Sequence, residues 1–216
     1  MRNDLYILIL FLFLSQFASS QIYKTQYSIL LSVNGELDSM DKIIIDQIMK
    51  ENFSMYNEVV FNNNYKKTVL ISENNNLPIL NSDNFTLYNI NEKTLHTFDE
   101  NKKIIDKKSV DVFEKLNIIK NTDTILDTKN YRFIELSDKN NKTKYQLFLS
   151  NKIPIKINPL PGIIPKELSI YGGAYKLIIV SESTNQIMEL QSFKEIKEDK
   201  KFEEDIKKIK LYQIDD

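Results

Sequence analysis

The sequence predicts an α+β fold dominated by an antiparallel, curved β-sheet built of hairpins, with one or two short helices packed on one face. Three observations carry that expectation. Short runs of alternating apolar and polar residues recur with turn residues between them. No strand-like run alternates with a helix in the manner of a βαβ unit. Four of the five prolines fall between residues 153 and 165, so no regular helix or central strand can pass through that stretch, which must be an extended, stiff loop.

Residues 23–33 mix aromatic and β-branched side chains in near alternation and end at the turn pair Asn34-Gly35, which marks a first strand. Asp38 or Ser39 can cap a helix over about 39–51, where Ile44, Ile45, Ile48 and Met49 fall at helical spacing opposite Lys42, Asp46 and Lys50. A meander of short strands is expected at 58–61, 67–72, 85–90, 94–98 and 103–106. Residues 110–119 hold Val112, Leu116 and Ile119 at helical spacing and fit a short helix or an irregular crossing equally; 119–126 reads as a turn region. The clearest hairpin follows. Tyr131, Phe133 and Glu135 alternate with Arg132, Ile134 and Leu136, residues 137–142 turn the chain, and Tyr145, Leu147 and Leu149 resume the pattern. After Gly172-Gly173, residues 174–180 and 186–190 flank a second turn at 181–185. The charged tail, about 194–216, holds Phe202, Ile206 and Ile209 as a narrow apolar stripe that suits a terminal helix as well as a frayed end.

Residues 1–20 read as a cleaved signal peptide: Arg2 precedes the apolar run 5–14, and Ala18-Ser19-Ser20 supplies small residues before a cut at Gln21. The run breaks at Ser15-Gln16, short of the about 20 apolar residues that cross a bilayer. No integral membrane segment is then expected after cleavage, and residues 21–216 make a single strand-rich domain, periplasmic or secreted. With no cysteine in the chain, neither a lipid anchor on an N-terminal cysteine nor a disulfide is available. The 29 basic and 30 acidic residues nearly cancel, which argues against a nucleic-acid or anionic-membrane surface.

Chemistry is sparse. His96 is the only histidine and sits mid-strand between Leu95 and Thr97, so a zinc site lacks ligands and a serine nucleophile lacks an obvious base; an ordinary strand residue is the simpler reading. Thirty acidic residues make carboxylate pairs inevitable, which keeps glycoside-type hydrolysis open without pointing to any pair. The loop of Asp138, Asn140 and Asn141 is rich in oxygen, but an EF-hand counted from Asp138 would need glycine where Thr143 stands and glutamate where Leu149 stands. A turn closed by its own Asx side chains explains it better. Four glycines in all cannot build a phosphate cradle. The triplets at Asn52, Asn84 and Asn141 match the glycosylation pattern at the frequency so much asparagine gives by chance. The sequence therefore predicts no catalytic residue, no metal and no cofactor.

One segment carries more. Pro159-Leu160-Pro161-Gly162-Ile163-Ile164 resembles the hexapeptide that names the GLPGLI family, exported Bacteroidetes proteins of unknown function. The likeness extends to the signal-like start, the Tyr-rich first strand, the meander, the pairs Ile153-Pro154 and Asn158-Pro159, and the strand, polar turn and strand over 177–190. The departures are Pro159 for the first glycine, two isoleucines after Gly162, and Leu147-Phe148 where the family usually has Trp-Tyr. The expected hairpin also starts some ten residues late, so Gly172-Gly173 is a second candidate for the motif's start. The resemblance implies no catalytic residue. Physically, such a segment is a sheet corner or a surface recognition loop, and backbone geometry favours the corner.

Export, fold class and missing chemistry together lead to a non-enzymatic binding or accessory protein of the bacterial cell envelope, serving a small apolar ligand, an envelope partner or an outer-membrane assembly. The alternatives are a hydrolase using two carboxylates, and a structural or adhesion module. Tyr131, Phe133, Tyr145 and Tyr175 are the aromatics most suited to line a site.

Overall fold

The computed structural model describes residues 21–33, 43, 55–72, 85–99, 101, 103–110, 112–113, 116–138, 142–162 and 164–212. The helix expected over 39–51 lies outside these, save Ile43, which is helical and exposed; so do residues 1–20.

Among the described residues, eleven strands form one open, curved antiparallel sheet: β1 (Ile22–Val33), β2 (Met55–Phe61), β3 (Tyr65–Ser72), β4 (Phe85–Asn89), β5 (Thr94–Phe98), β6 (Ile104–Ser109), β7 (Asn117–Leu126), β8 (Lys129–Ser137), β9 (Lys144–Ser150), β10 (Gly173–Val180) and β11 (Thr184–Ile196). Their order is β6-β5-β4-β3-β2-β1-β11-β10-β9-β8-β7. The sheet is two meanders joined where β1 pairs with β11 over their full length, from Ile22 opposite Ile196 to Val33 opposite Thr184. Each neighbouring pair is antiparallel, so short turns suffice for most links. The second helix-compatible stretch, 110–119, is an irregular crossing around Val112 and Phe113 into β7. Residues 119–126, expected as a turn, belong to β7 instead; pairing with β8 overrides their polar composition.

Period-two alternation gives the sheet two apolar faces. On β1, Tyr23, Tyr27, Ile29 and Leu31 join the larger core with Val59 and Phe61 of β2, Ile134 and Leu136 of β8, and Leu147 and Leu149 of β9. Ile22, Val60, Tyr65, Phe85, Leu87 and Phe98 point the other way and form a smaller core. The expected placement of the helices on one face is corrected here. Helix α1 (Lys166–Ser169) delivers Leu168 to the larger core, while α2 (Lys200–Tyr212) delivers Phe202 and Ile209 to the smaller one. The charged tail thus contains a packed helix. Its first turn is closed by Asp199, whose carboxylate accepts the Phe202 N–H at 2.9 Å.

Two consecutive lysines of β3 tie a cover to each face. Lys66 and Lys67 are both buried, and alternation sends them to opposite sides. Lys67 Nζ lies 2.5 Å from Asp205 Oδ2 of α2 and 4.3 Å from the Phe85 ring centroid. With both groups shielded from water, removal of one leaves an uncompensated charge in the smaller core. Asp205→Ala is therefore expected to lower the free energy of unfolding by about 3–5 kcal/mol, measured by denaturant titration. The double substitution Lys67→Met with Asp205→Leu should cost clearly less, because it removes both charges and keeps the volume.

Candidate functional site

The proline-rich segment crosses the larger core face. Ile153, Ile157, Leu160 and Ile164 are buried in it, as are Asn158, Pro159 and Gly162, whereas Pro161 is half-buried and Ile163 lies outside the described residues. Lys66 holds the segment: its Nζ donates to Asn158 Oδ1 at 3.0 Å and to the Leu160 carbonyl at 2.5 Å. Asn158 Oδ1 also accepts the Leu160 N–H at 3.1 Å, and its amide nitrogen reaches the Gly162 carbonyl at 3.4 Å. Gly162 has φ 126°, a conformation that favours glycine. Thus Asn158, not a residue of the hexapeptide itself, closes the loop around the lysine. Pro159, Leu160 and Gly162 are thereby packed inside the molecule beside Lys66.

The first part of the segment is fixed by the residues that open β10. Gly173 donates its N–H to the Ile153 carbonyl, and Ala174 donates to the Ile157 carbonyl, both at 2.8 Å. A Cβ on Gly173 would stand 2.3 Å from the Pro154 carbonyl oxygen; one on Gly172, where φ is +86°, would stand 2.0 Å from that of Ser150. Glycine is what lets β10 start against the loop. Tyr27, fully buried, donates its hydroxyl to the Ala174 carbonyl at 2.7 Å and joins β1 to the same junction.

Beyond this junction two neighbouring hollows open where the β7–β8 hairpin meets the end of β9, and they share Asn130, Tyr131, Ser150 and Asn151. The first, about 610 Å³, is walled by Asp123, Ile125, Arg132, Leu149, Ile170 and Tyr171. Ile125 and Ile170 are 71% and 73% exposed, which leaves two large apolar side chains at its mouth. Arg132 lies 4.6 Å from the Tyr171 ring centroid and pairs with Asp123 at 3.0 Å. The second, about 750 Å³, is walled by Tyr131, Ile153, Tyr175, Leu190 and Phe193 with a rim of amides, hydroxyls and lysines.

Of the four aromatics singled out in the sequence, the structure brings two together. Tyr131 and Tyr175 stack at 4.9 Å, while Phe133 meets Phe148 edge-on and Tyr145 packs against the larger core. Tyr175 is the extra residue where the β9–β10 register shifts between Ala174 and Lys176, and such a bulge re-aims its side chain. Its hydroxyl donates to Glu189 Oε1 at 2.7 Å, and that bond, followed by burial, raises its pKa. Burial pushes the Glu189 carboxyl up, but the bonds from Tyr175 and Lys176 outweigh it and leave the group below its usual range. Phe193, 42% exposed, was not singled out; its place among charged residues gave no signal.

His96 lies buried in β5 opposite Leu87 and Lys107; burial, then Lys107, lowers its pKa. The Asp138 carboxylate accepts the Lys142 N–H at 2.9 Å across its loop. Among the described residues, no three His, Cys, Asp or Glu side chains come together as a metal cluster would require, and no helix is long and apolar enough to cross a membrane.

No protein-family model and no curated protein matches the chain. Among solved structures it is similar to a domain described as that of an outer membrane lipoprotein-sorting protein from Vibrio parahaemolyticus, at 11% identity and a TM-score of 0.37, over 81% of this chain and 85% of that one. It is also similar to a LolA superfamily protein from Nitrosomonas europaea, at 9% identity and 0.36, over 82% and 87%. A DUF1329 family protein from Desulfovibrio piger ATCC 29098 follows at 8% identity and 0.24, over 85% and 89%. At these scores the likenesses carry no argument about function.

The Lys66 clasp makes a pH-dependent signature. Burial lowers its pKa from 10.5 to about 7. Between those values the unfolded chain binds a proton that the folded chain does not, so stability rises with pH across this window, by at most about 1.4 kcal/mol per unit. The difference in unfolding free energy between wild type and Lys66→Met should therefore grow in favour of wild type from pH 7.5 to 9.5, in denaturant titrations at fixed salt. Parallel profiles would show that Lys66 keeps its proton in the folded state.

Proposed function

We propose that this chain is a non-enzymatic exported protein of the bacterial cell envelope, a binding or accessory protein that takes a small apolar ligand or an apolar segment of an envelope partner at the paired hollows around Tyr131. The observation that supports this reading is the second hollow. A stacked tyrosine pair, Leu190, Ile153 and a part-exposed phenylalanine supply apolar wall, and a polar rim fixes orientation, as in small-molecule sites. The larger core face is occupied by the chain's own proline-rich segment, so the proposed site lies at the sheet's end.

The hydrolase alternative asks for an acid held protonated beside a second carboxylate. Glu189, the acid hydrogen-bonded to the hollow's Tyr175, moves the opposite way, and Asp123 in the first hollow is paired with Arg132. A structural or adhesion role draws its support from Ile125 and Ile170 at the mouth of the first hollow. We also propose membership of the GLPGLI group, with the hexapeptide acting as an internal corner; its burial against Lys66 supports a structural part for that motif.

The test is to purify the protein from its native envelope under mild conditions and analyse what accompanies it by mass spectrometry. An apolar molecule in near one-to-one amount is expected. Phe193→Ala should weaken its retention about tenfold, the equivalent of about 1.4 kcal/mol, with the fold intact by circular dichroism. An empty protein, or a ligand that Phe193→Ala leaves untouched, would contradict this site.

A further inference from the structure

The sheet's two open ends are unlike each other. Edge strand β6 is six residues long and carries Asp106, Lys107 and Lys108, charges of the kind that keep an edge from pairing. Edge strand β7 is ten residues long and carries only Lys120 and Asp123. Each has a partner on β8, although both side chains stay exposed. Asp123 pairs with Arg132 at 3.0 Å, and Lys120 lies over the Phe133 ring at 5.5 Å. Arg132 also holds the Asn121 side chain and touches its backbone oxygen at 3.4 Å, which leaves that carbonyl a second lone pair. Ile118, Ile119 and Ile125 are exposed at 44%, 51% and 71%. The register with β8 shifts between Ile118 and Lys120, so Ile119 is an extra residue and the regular run of this edge is 120–126. Among the described residues no further strand pairs with it, and a β-branched edge with two charges is a template for another strand.

The strand's own sequence says which one. From Ile118 to Leu126 it reads Ile, Ile, Lys, Asn, Thr, Asp, Thr, Ile, Leu, which is palindromic in polarity about Thr122. In an antiparallel pair related by a two-fold axis, residues equally far from the axis stand opposite each other on the same side of the sheet. With the axis at Thr122, Lys120 faces Thr124 of the second copy and Asn121 faces Asp123; the register shift at Ile119 sets Ile118 and Ile119 off strict opposition, near Ile125 and Leu126. Apolar meets apolar at both ends, threonine meets threonine at the centre, and no like charges stand opposite. Moving the axis to Asp123 or to Lys120 sets two like charges face to face.

We propose that β7 pairs with β7 of a second copy of this chain across a two-fold axis at Thr122, which joins two sheets into one. The pairing uses up the open edge in a closed, isologous contact. It also brings residues 118–121 of the second copy alongside Asp123 and Ile125, the outer wall of the first hollow, so each copy completes the other's hollow. This inference does not depend on the ligand proposed above.

The protein, produced from its full-length sequence, is expected to sediment at twice the monomer mass. Because Thr122 faces itself, Thr122→Lys and Thr122→Glu should each give monomers, and an equimolar mixture of the two should recover the doubled mass. The chain has no cysteine, so Thr122→Cys gives an unambiguous cross-link. Opposed Cα atoms about 4.5–5.5 Å apart suit a disulfide, and mild oxidation should yield a covalent dimer, while Lys107→Cys on β6 should not. A wild-type monomer at all concentrations, a Thr122→Lys dimer, or cross-linking through Lys107→Cys without Thr122→Cys would overturn the proposal.

Discussion

Two adjacent buried lysines organise this molecule. A lysine side chain taken out of water needs a partner, because a buried amino group left unpaired, charged or neutral, costs free energy. Lys66 and Lys67 lie side by side on β3, near the middle of the first meander, and strand geometry sends one to each face. Each draws its partner from a distant part of the sequence: Lys66 from Asn158 and Leu160, Lys67 from Asp205. The proline-rich segment and α2 are therefore held to opposite faces of the same strand. Hydrophobic burial supplies most of the attraction, through Ile157, Leu160 and Ile164 on one side and Phe202 and Ile209 on the other. The lysines fix where each cover sits.

That constraint positions the candidate site. With Asn158 to Gly162 closed around Lys66, the segment before it must return along the sheet so that Ile153 reaches Gly173. The close approach at Gly172 and Gly173 then starts β10 beside the end of β9, and the bulge at Tyr175 aims its ring at Tyr131. The hollows are what remains between this junction and the β7–β8 hairpin. A binding surface at the margin of a rigid sheet, built by loops that the core holds in place, is a common arrangement in proteins.

Much of the fold was legible where one face of a strand is buried and the other is not. Residues 133–136 and 145–149 alternate because the larger core takes one face, and the observed strands contain them; the strands over 58–61 and 94–98 are also observed, but there neighbouring residues are buried on both faces. Strand β7 was misread for the complementary reason. As an edge strand with both faces largely exposed, it keeps Asn, Thr and Asp, residues that otherwise mark turns. The lysine pair left little trace either, since lysine is almost always at the surface; the one sign was its place between Tyr65 and the run Thr68 to Ile71. The stripe of Phe202, Ile206 and Ile209 was visible, but only the smaller core shows that it is covered. At the site, aromatic content pointed to Tyr131 and Tyr175 but could not separate them from Phe133 and Tyr145, because their meeting depends on a bulge that follows from Gly172-Gly173 rather than from the strand pattern.

If the two lysines secure the two covers independently, the most direct measurement is amide hydrogen exchange by mass spectrometry on wild type, Lys66→Met and Lys67→Met under identical conditions. Lys66→Met should speed exchange at Ile157, Leu160, Gly173 and Ala174, whose N–H groups serve the proline-rich corner, and leave α2 protected. Lys67→Met should speed exchange through α2 and leave that corner protected. Equal loosening of both regions by either substitution, or of neither, would contradict the account.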